Sequence, residues 1–416
     1  MMKIVKRVHY GWVIVIGVFF CAMGLGASRY LYSYVLPTME VELNLPHEPM
    51  GNIASAHFLA YAVMAAVFGI VVDRIGPRKC MSIGLVTLSI GLAGMGSMSS
   101  LVVGLISYLI CGAGAAALYV SMVPLISAWF GGKRRGTALG ITLAGTGILI
   151  VAVGLVVPNA LVTYSWRWVW WSGSALVLII AAISWFLLLD SPAEKGLAAI
   201  GANGEKQLPS REKVAGQAAG QKKAKVTIKD IMKRGAVWNL AAVWFGYGGA
   251  YVIFITFAVA YLQEKGWGIG AAAGSFATFG VLNIPGPLIW GIIADRFTKK
   301  YLLVIALILQ GLGIFLLWTG ATVGGYLGAA LVGFGNIAMP VLLGSAAAEY
   351  FETEIIGTTI GFIVLFFGIS SVVAPTLGGI LADSTGTLSP AILLSLGGYA
   401  VASILMLMLK KPPKRS

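Results

Sequence analysis

Twelve long apolar runs dominate this chain and leave little of it for anything else. They lie at about 12–36, 51–72, 80–98, 101–130, 136–161, 168–189, 236–262, 271–294, 301–319, 321–350, 357–382 and 388–409. A helix that crosses a bilayer needs ~20 mainly apolar residues, and each run is about that long. Only 11% of the residues are charged, against roughly 25% in soluble domains. The sequence therefore predicts an all-α integral membrane protein with twelve transmembrane helices.

The net charge of +14 follows the predicted topology. If the N-terminus is inside, all but three of the 29 Lys and Arg residues fall in cytoplasmic segments, the exceptions being Arg29, Arg167 and Lys265. An excess of cations in cytoplasmic loops orients membrane proteins. We therefore expect a multi-pass protein of the inner (plasma) membrane with an uncleaved first span and both termini cytoplasmic. The bilayer explains the basic charge, so no nucleic-acid partner is expected.

A short signature occurs twice, between spans two and three and between spans eight and nine. The copies read Gly69-Ile-Val-Val-Asp73-Arg74-Ile-Gly76-Pro-Arg78-Lys79 and Gly291-Ile-Ile-Ala-Asp295-Arg296-Phe-Thr-Lys299-Lys300. The two aspartates are separated by about half of the 416 residues. Many secondary transporters are built from two such related halves.

The segment between the sixth and seventh spans has a different composition. It is rich in Lys, Glu, Gln, Ala and Gly and has little apolar periodicity, which is typical of a connector. We expect residues 1–189 to form an N-terminal six-helix bundle, 190–234 a cytoplasmic connector and 235–416 a C-terminal six-helix bundle, the two bundles being pseudo-symmetric.

The pattern Gly-x-x-x-Asp-Arg-x-Gly-x-Arg between spans two and three resembles the signature of the major facilitator superfamily. The resemblance implies two bundles around a central cavity that opens alternately to each side. A carboxylate can accept from the free N–H groups at the start of a facing helix, and the resemblance places span eleven opposite Asp73 and span five opposite Asp295. These aspartates, with Arg74, Arg78 and Arg296, are the predicted gating residues. The alternative, that the arginines only enforce topology, does not explain an aspartate at both turns.

Three further segments resemble the monocarboxylate and oxalate:formate branch of that superfamily. They are Tyr10-Gly11-Trp12-Val13, Trp129 to Gly136, and Trp166-Arg167-Trp168. The resemblance implies a small organic anion, such as a monocarboxylate, as substrate. Members of that branch usually carry a cation in span eight or span eleven, whereas here neither span has a charge before Asp383.

Arg29 is the one strongly charged side chain inside a predicted span, and such residues are usually functional. If span one enters the hydrocarbon near Val13, Arg29 lies roughly 24 Å into a ~30 Å core. It could bind a substrate anion in a cavity, or it could extend to the outer interface. Tyr30, Tyr32 and Tyr34 follow it with further hydroxyl groups.

His57 in span two is the leading candidate for a proton carrier, because histidine titrates near pH ~6.5 and no Asp or Glu lies deep in any span. A packing histidine between helices is the alternative. Polar residues that do not add a second charge complete the predicted substrate site with Arg29 and Tyr30: Tyr119, Tyr247, Tyr251, Asn283 and Asn336. Each of these could instead bridge helices. Matched Gly and Pro residues, at 154–159 in span five and 374–379 in span eleven, predict helices that bend.

Other chemistries have no support in the sequence. It has no nucleotide-binding glycine loop, no metal-ligand cluster and no plausible Ser, His and acid combination, so we expect neither an enzyme nor a cofactor. The leading interpretation is a monomeric secondary transporter of a small organic anion, coupled to protons or working by exchange (symport or antiport). The alternatives are a polyspecific exporter of amphipathic compounds and a non-transporting membrane sensor.

Overall fold

A computed structural model describes residues 9–201, 231–294, 296–351 and 355–410, and this part of the chain is almost entirely helical. Eleven helical segments are long and apolar enough to cross a membrane, one of them, Thr322–Ala347, being interrupted at Ile337. The twelfth span is divided into two shorter helices. The predicted fold class, twelve transmembrane helices in two six-helix bundles, is confirmed.

The first six spans, which we call the N-half, are continuous helices: α1 (Tyr10–Leu43), α2 (His47–Ile75), α3 (Pro77–Gly96), α4 (Leu101–Trp129), α5 (Gly132–Thr163) and α6 (Trp166–Leu187). The signature turn between α2 and α3 is a single residue, Gly76, with a φ of 88° that favours glycine. Pro77 then begins α3, where its missing N–H costs no hydrogen bond.

The last six spans, the C-half, contain eight helices: α7 (Gly235–Glu264), α8 (Ile269–Asn283), α9 (Gly286–Ala294), α10 (Lys299–Trp318), α11 (Thr322–Asn336), α12 (Ala338–Tyr350), α13 (Ile356–Thr385) and α14 (Ser389–Met408). Span eight is α8 plus α9, and span ten is α11 plus α12. Most of the predicted connector, residues 202–230, lies outside the described residues.

The interruptions of spans eight and ten have the same chemical cause. Asn283 ends α8 and Asn336 ends α11, and a proline follows each asparagine by four residues, at Pro287 and Pro340. A proline removes the hydrogen bond to the carbonyl four residues before it and clashes with that carbonyl. Spans five and eleven, where the sequence predicted bending, are continuous helices despite Pro158 and Pro375.

The helix bundle has two ends, which we call the terminal face and the distal face. The terminal face is the end where α1 begins, α14 ends and the signature turn lies; the distal face is the opposite end, with the α1–α2 and α13–α14 turns. The halves pack through α1 against α7, α2 against α13 and α5 against α8. At the distal face the backbone of Gly51 lies so close to the Pro375 carbonyl that a side chain at position 51 would collide with it.

Candidate substrate-binding site

Arg29 points into the bundle between the two halves. Its guanidinium carbon lies 4.6 Å from the centroid of the Tyr61 ring and 5.9 Å from that of Phe58, both on α2. Its Nε is buried without a hydrogen-bond partner. Among the described residues, none of the ion pairs involves Arg29. This cation is therefore held against aromatic rings and has no carboxylate beside it.

Tyrosines from both halves meet next to Arg29. The hydroxyls of Tyr30 on α1 and Tyr251 on α7 are 2.7 Å apart, so this hydrogen bond joins the halves. One helical turn away, Tyr247 donates to the Asn336 side-chain oxygen at 2.8 Å. The Tyr247 and Tyr251 rings are nearly parallel, with centroids 6.0 Å apart and an interplanar angle of 20°.

Tyr119 on α4 completes this group. Its ring centroid is 6.2 Å from that of Tyr61, and 43% of Tyr119 is exposed although it lies in the middle of a membrane helix. We call Tyr30, Tyr61, Tyr119, Tyr247 and Tyr251 the tyrosine cluster. Arg29 and the tyrosine cluster together present one positive charge and a wall of aromatic rings and hydroxyls.

The structure thus brings together most of the residues predicted for substrate binding: Arg29, Tyr30, Tyr119, Tyr247, Tyr251 and Asn336. Asn283, the remaining one, donates to the carbonyl of Phe279 in its own helix at 2.8 Å. Sequence reasoning missed Tyr61 and Phe58. A signal existed for Tyr61, because it lies four residues after His57 and so shares its helix face.

His57 is completely buried, and both of its ring nitrogens lack a hydrogen-bond partner. Its ring centroid lies 4.7 Å from that of Tyr108 on α4 and 5.2 Å from that of Phe58. Phe58 in turn faces Arg29. The imidazole is therefore next to the candidate site, behind one aromatic ring, and both the proton-carrier and the packing interpretation remain open.

On the distal side of the tyrosine cluster the two halves are joined by polar contacts. The Asp383 carboxylate, on α13, accepts from the backbone N–H groups of His47 at 2.9 Å and Glu48 at 2.8 Å, the first residues of α2. Thr376 donates to Asn52 at 2.7 Å and lies 2.9 Å from the Ser55 hydroxyl. These contacts close the distal face above the site.

The terminal face is arranged differently. Asp73 and Arg74 are exposed, and so is Arg296, while Asp295 lies outside the described residues. The backbone N–H of Arg78 donates to Asp190 at 2.8 Å, and its guanidinium donates to the Trp185 carbonyl, so Arg78 is bound within the N-half. The described hydrogen bonds that join the halves all belong to the tyrosine cluster or to the distal side of it. Among the described residues, the site is thus closed toward the distal face.

Two curated relatives cover almost the whole chain. A hexuronate transporter of Bacillus subtilis (strain 168) is 23% identical over 402 residues, which are 92% of this chain and 91% of the relative. A gallate transporter of Pseudomonas putida is 23% identical over 416 residues, covering 96% of this chain and 91% of the relative.

A solved structure has the same fold. A bacterial homologue of the human lysosomal transporter Spinster, in an inward-facing and unoccupied conformation, matches with a TM-score of 0.70 and 15% identity over 97% of this chain and 95% of its own. The family description of the Major Facilitator Superfamily matches residues 18–287 and 271–416. The chain therefore belongs to the Major Facilitator Superfamily.

Proposed function

We propose that this protein is a secondary active transporter that moves a small monocarboxylate across the inner membrane by alternating access. The observation that carries the proposal is Arg29, a guanidinium without a carboxylate partner, held between the halves beside the tyrosine cluster. Its position against α2 and near the Tyr30–Tyr251 contact supports a role in the cavity and not at the outer interface.

The electrostatics favour a substrate with one negative charge. A cation held inside the bundle without a counter-charge is costly, and a carboxylate that accepts two N–H bonds from a guanidinium relieves that cost. The tyrosine cluster and Asn336 add hydrogen-bond partners but no second cation, so a dianion would remain partly unpaired. Hexuronate and gallate, named for two relatives, are both carboxylates. We also propose that, within the superfamily, this chain belongs to the monocarboxylate and oxalate:formate branch.

We assign the terminal face to the cytoplasm, because nearly all Lys and Arg residues belong to segments on that side. The closed distal face is then the outer one. In this proposal the distal contacts break while the terminal face closes, and the signature residues Asp73, Arg74 and Arg296, which are exposed, take part in that closure.

We further propose that the driving force is either a proton gradient or exchange for a second anion. His57 supports the first, because it is buried beside the site, with both ring nitrogens unpaired. The second candidate function, a polyspecific exporter of amphipathic compounds, is favoured by the aromatic character of the wall around a single charge.

Ligand-dependent thermal stability of the purified protein tests the proposal. The ligands are lactate and benzoate, their uncharged amides, and tetraphenylphosphonium as a lipophilic cation. We expect at least one carboxylate to raise the melting temperature of the wild type but not of Arg29→Gln, and neither amide to raise it. Stabilisation by the lipophilic cation alone would favour the exporter.

A further inference from the structure

Tyr61 was not predicted as a site residue, yet its ring lies against Arg29. Its ring supports the Arg29 guanidinium at 4.6 Å, and the ring of Tyr119, which is 43% exposed, lies beside it at 6.2 Å. The C-half contributes Tyr247 and Tyr251, whose hydroxyls already have partners in Asn336 and Tyr30. These two side chains therefore offer mainly ring surface to a ligand.

The position of the charge relative to the rings limits which carboxylate fits. A carboxylate bound to Arg29 places the rest of the ligand next to rings contributed by both halves. A planar aromatic body can make offset or edge contacts with several of them at once, whereas a chain of two or three carbons leaves this surface unfilled. We infer, on the basis of the proposed function, that the substrate is an aromatic monocarboxylate and that Tyr61 and Tyr119 are its specificity-determining residues.

Counterflow in proteoliposomes separates this inference from the proposed function. Labelled benzoate is the aromatic probe and labelled lactate the acyclic one. We expect benzoate to be the better substrate in the wild type. Tyr61→Leu should raise the KM for both anions, because it removes a contact of Arg29, but it should raise the KM for benzoate about tenfold more than the KM for lactate. Tyr61→Phe keeps the ring and should keep most of the preference, and Tyr119→Leu should reduce it.

The matched control is Tyr164→Leu, which changes an exposed tyrosine at the distal end of α5. Transport of lactate at least as well as benzoate, with equal loss of both in Tyr61→Leu, would overturn the aromatic inference and leave anion transport standing. If neither anion enters or binds, the proposed function fails as well.

A second inference rests on a separate observation, at the distal end of α13. The segment Gly379-Ile-Leu-Ala-Asp383 repeats the Gly-Ile-x-x-Asp pattern of both signature turns, but on the opposite side of the membrane and without a following arginine. Its carboxylate accepts both leading N–H groups of α2, as described above, and its glycine lies against the backbone of His47 and Glu48. The free N–H groups and the dipole at a helix start favour a carboxylate there.

We propose that Asp383 is a distal latch, which holds the two halves together at the distal face. The contact crosses from the C-half to the N-half, so it must break before the distal face can open. Glu40, His47 and Glu264 are the other ionisable side chains around it. Glu40 pairs with His47 at 2.7 Å, and Glu264 accepts from the Leu388 N–H, so these two carboxylates are engaged within their own halves.

Distances between spin labels on the two halves test the latch. Val41→Cys on α1 and Gly270→Cys on α8 place labels at exposed distal positions, while the native cysteines are buried. We expect the distance between the two labels to be longer in Asp383→Asn and in Asp383→Ala than in the labelled protein that keeps Asp383. Glu42→Gln is the matched control, because Glu42 accepts from Trp166 at 2.8 Å within the N-half. Unchanged distances in both Asp383 variants would overturn the proposal.

Discussion

Related sequence elements lie at the distal face and at the terminal face, in different surroundings. At the distal face the carboxylate of Asp383 is bound to the start of α2, and glycines bring the backbones of α2 and α13 into contact. At the terminal face Asp73 is exposed at the end of the same helix. One helix therefore carries a closing contact at one end and the signature at the other, and from this we predict that the terminal face closes by the same carboxylate-to-helix-start contact.

The largest effect is expected at Arg29, which lies between the two faces. Arg29→Gln should lower the apparent affinity for the anion by about 3 kcal/mol, roughly 100-fold, because it removes the buried partner of the carboxylate. Arg29→Lys keeps the charge but loses the two-pronged donor geometry, and should lose about tenfold. Uptake into proteoliposomes at matched protein levels measures both. Full anion transport by Arg29→Gln would place the binding site elsewhere.

The next largest effect is expected at Gly51, in the distal contact. Gly51→Leu should reduce transport by more than about tenfold, because the new side chain collides with the Pro375 carbonyl and disfavours distal closure. Faster reaction of a cysteine at Ser55 with an impermeant thiol reagent should accompany the loss. Gly270→Leu is the control, since Gly270 has no atom within 4 Å where a side chain would point. Wild-type rates in Gly51→Leu would contradict tight distal packing.

His57 tests whether proton movement couples the two faces. His57→Gln should abolish accumulation driven by a pH gradient while leaving most of the counterflow of labelled substrate, because counterflow needs no net proton transfer. The measurement is both assays on the same proteoliposomes. An equal loss in both would identify His57 as a packing residue between α2 and α4.

The smallest effect is expected at the terminal face. Asp73→Asn should slow turnover about threefold without changing the amount of inserted protein, because a charge interaction with a helix start is worth roughly 0.3–1 kcal/mol. Uptake normalised to protein level measures it. Unchanged turnover would remove the proposed likeness between the two faces.

The spans and most of the candidate site could be predicted from the sequence, because hydropathy fixes the helices and polar residues are rare inside them. Arg29 and the tyrosines of α7 were identifiable on this basis. The breaks after Asn283 and Asn336 were missed, although Pro287 and Pro340 stand at the spacing that removes a helical hydrogen bond. The Asp383 contact was missed for a different reason, since it depends on how the halves meet and not on any local pattern.

The breaks in spans eight and ten also bear on the stiffness of the two halves. A continuous helix moves as one unit along its full length, whereas an interrupted helix can bend at its break. The breaks in spans eight and ten are in contact, because the backbone of Gly286 packs on the Ile337 side chain and Trp290 donates to the Phe334 carbonyl at 2.7 Å. We therefore expect the short helices α9 and α12 to move together, whereas their N-half counterparts, α2 and α4, are continuous helices. The C-half is expected to be the more compliant half of this pseudo-symmetric pair.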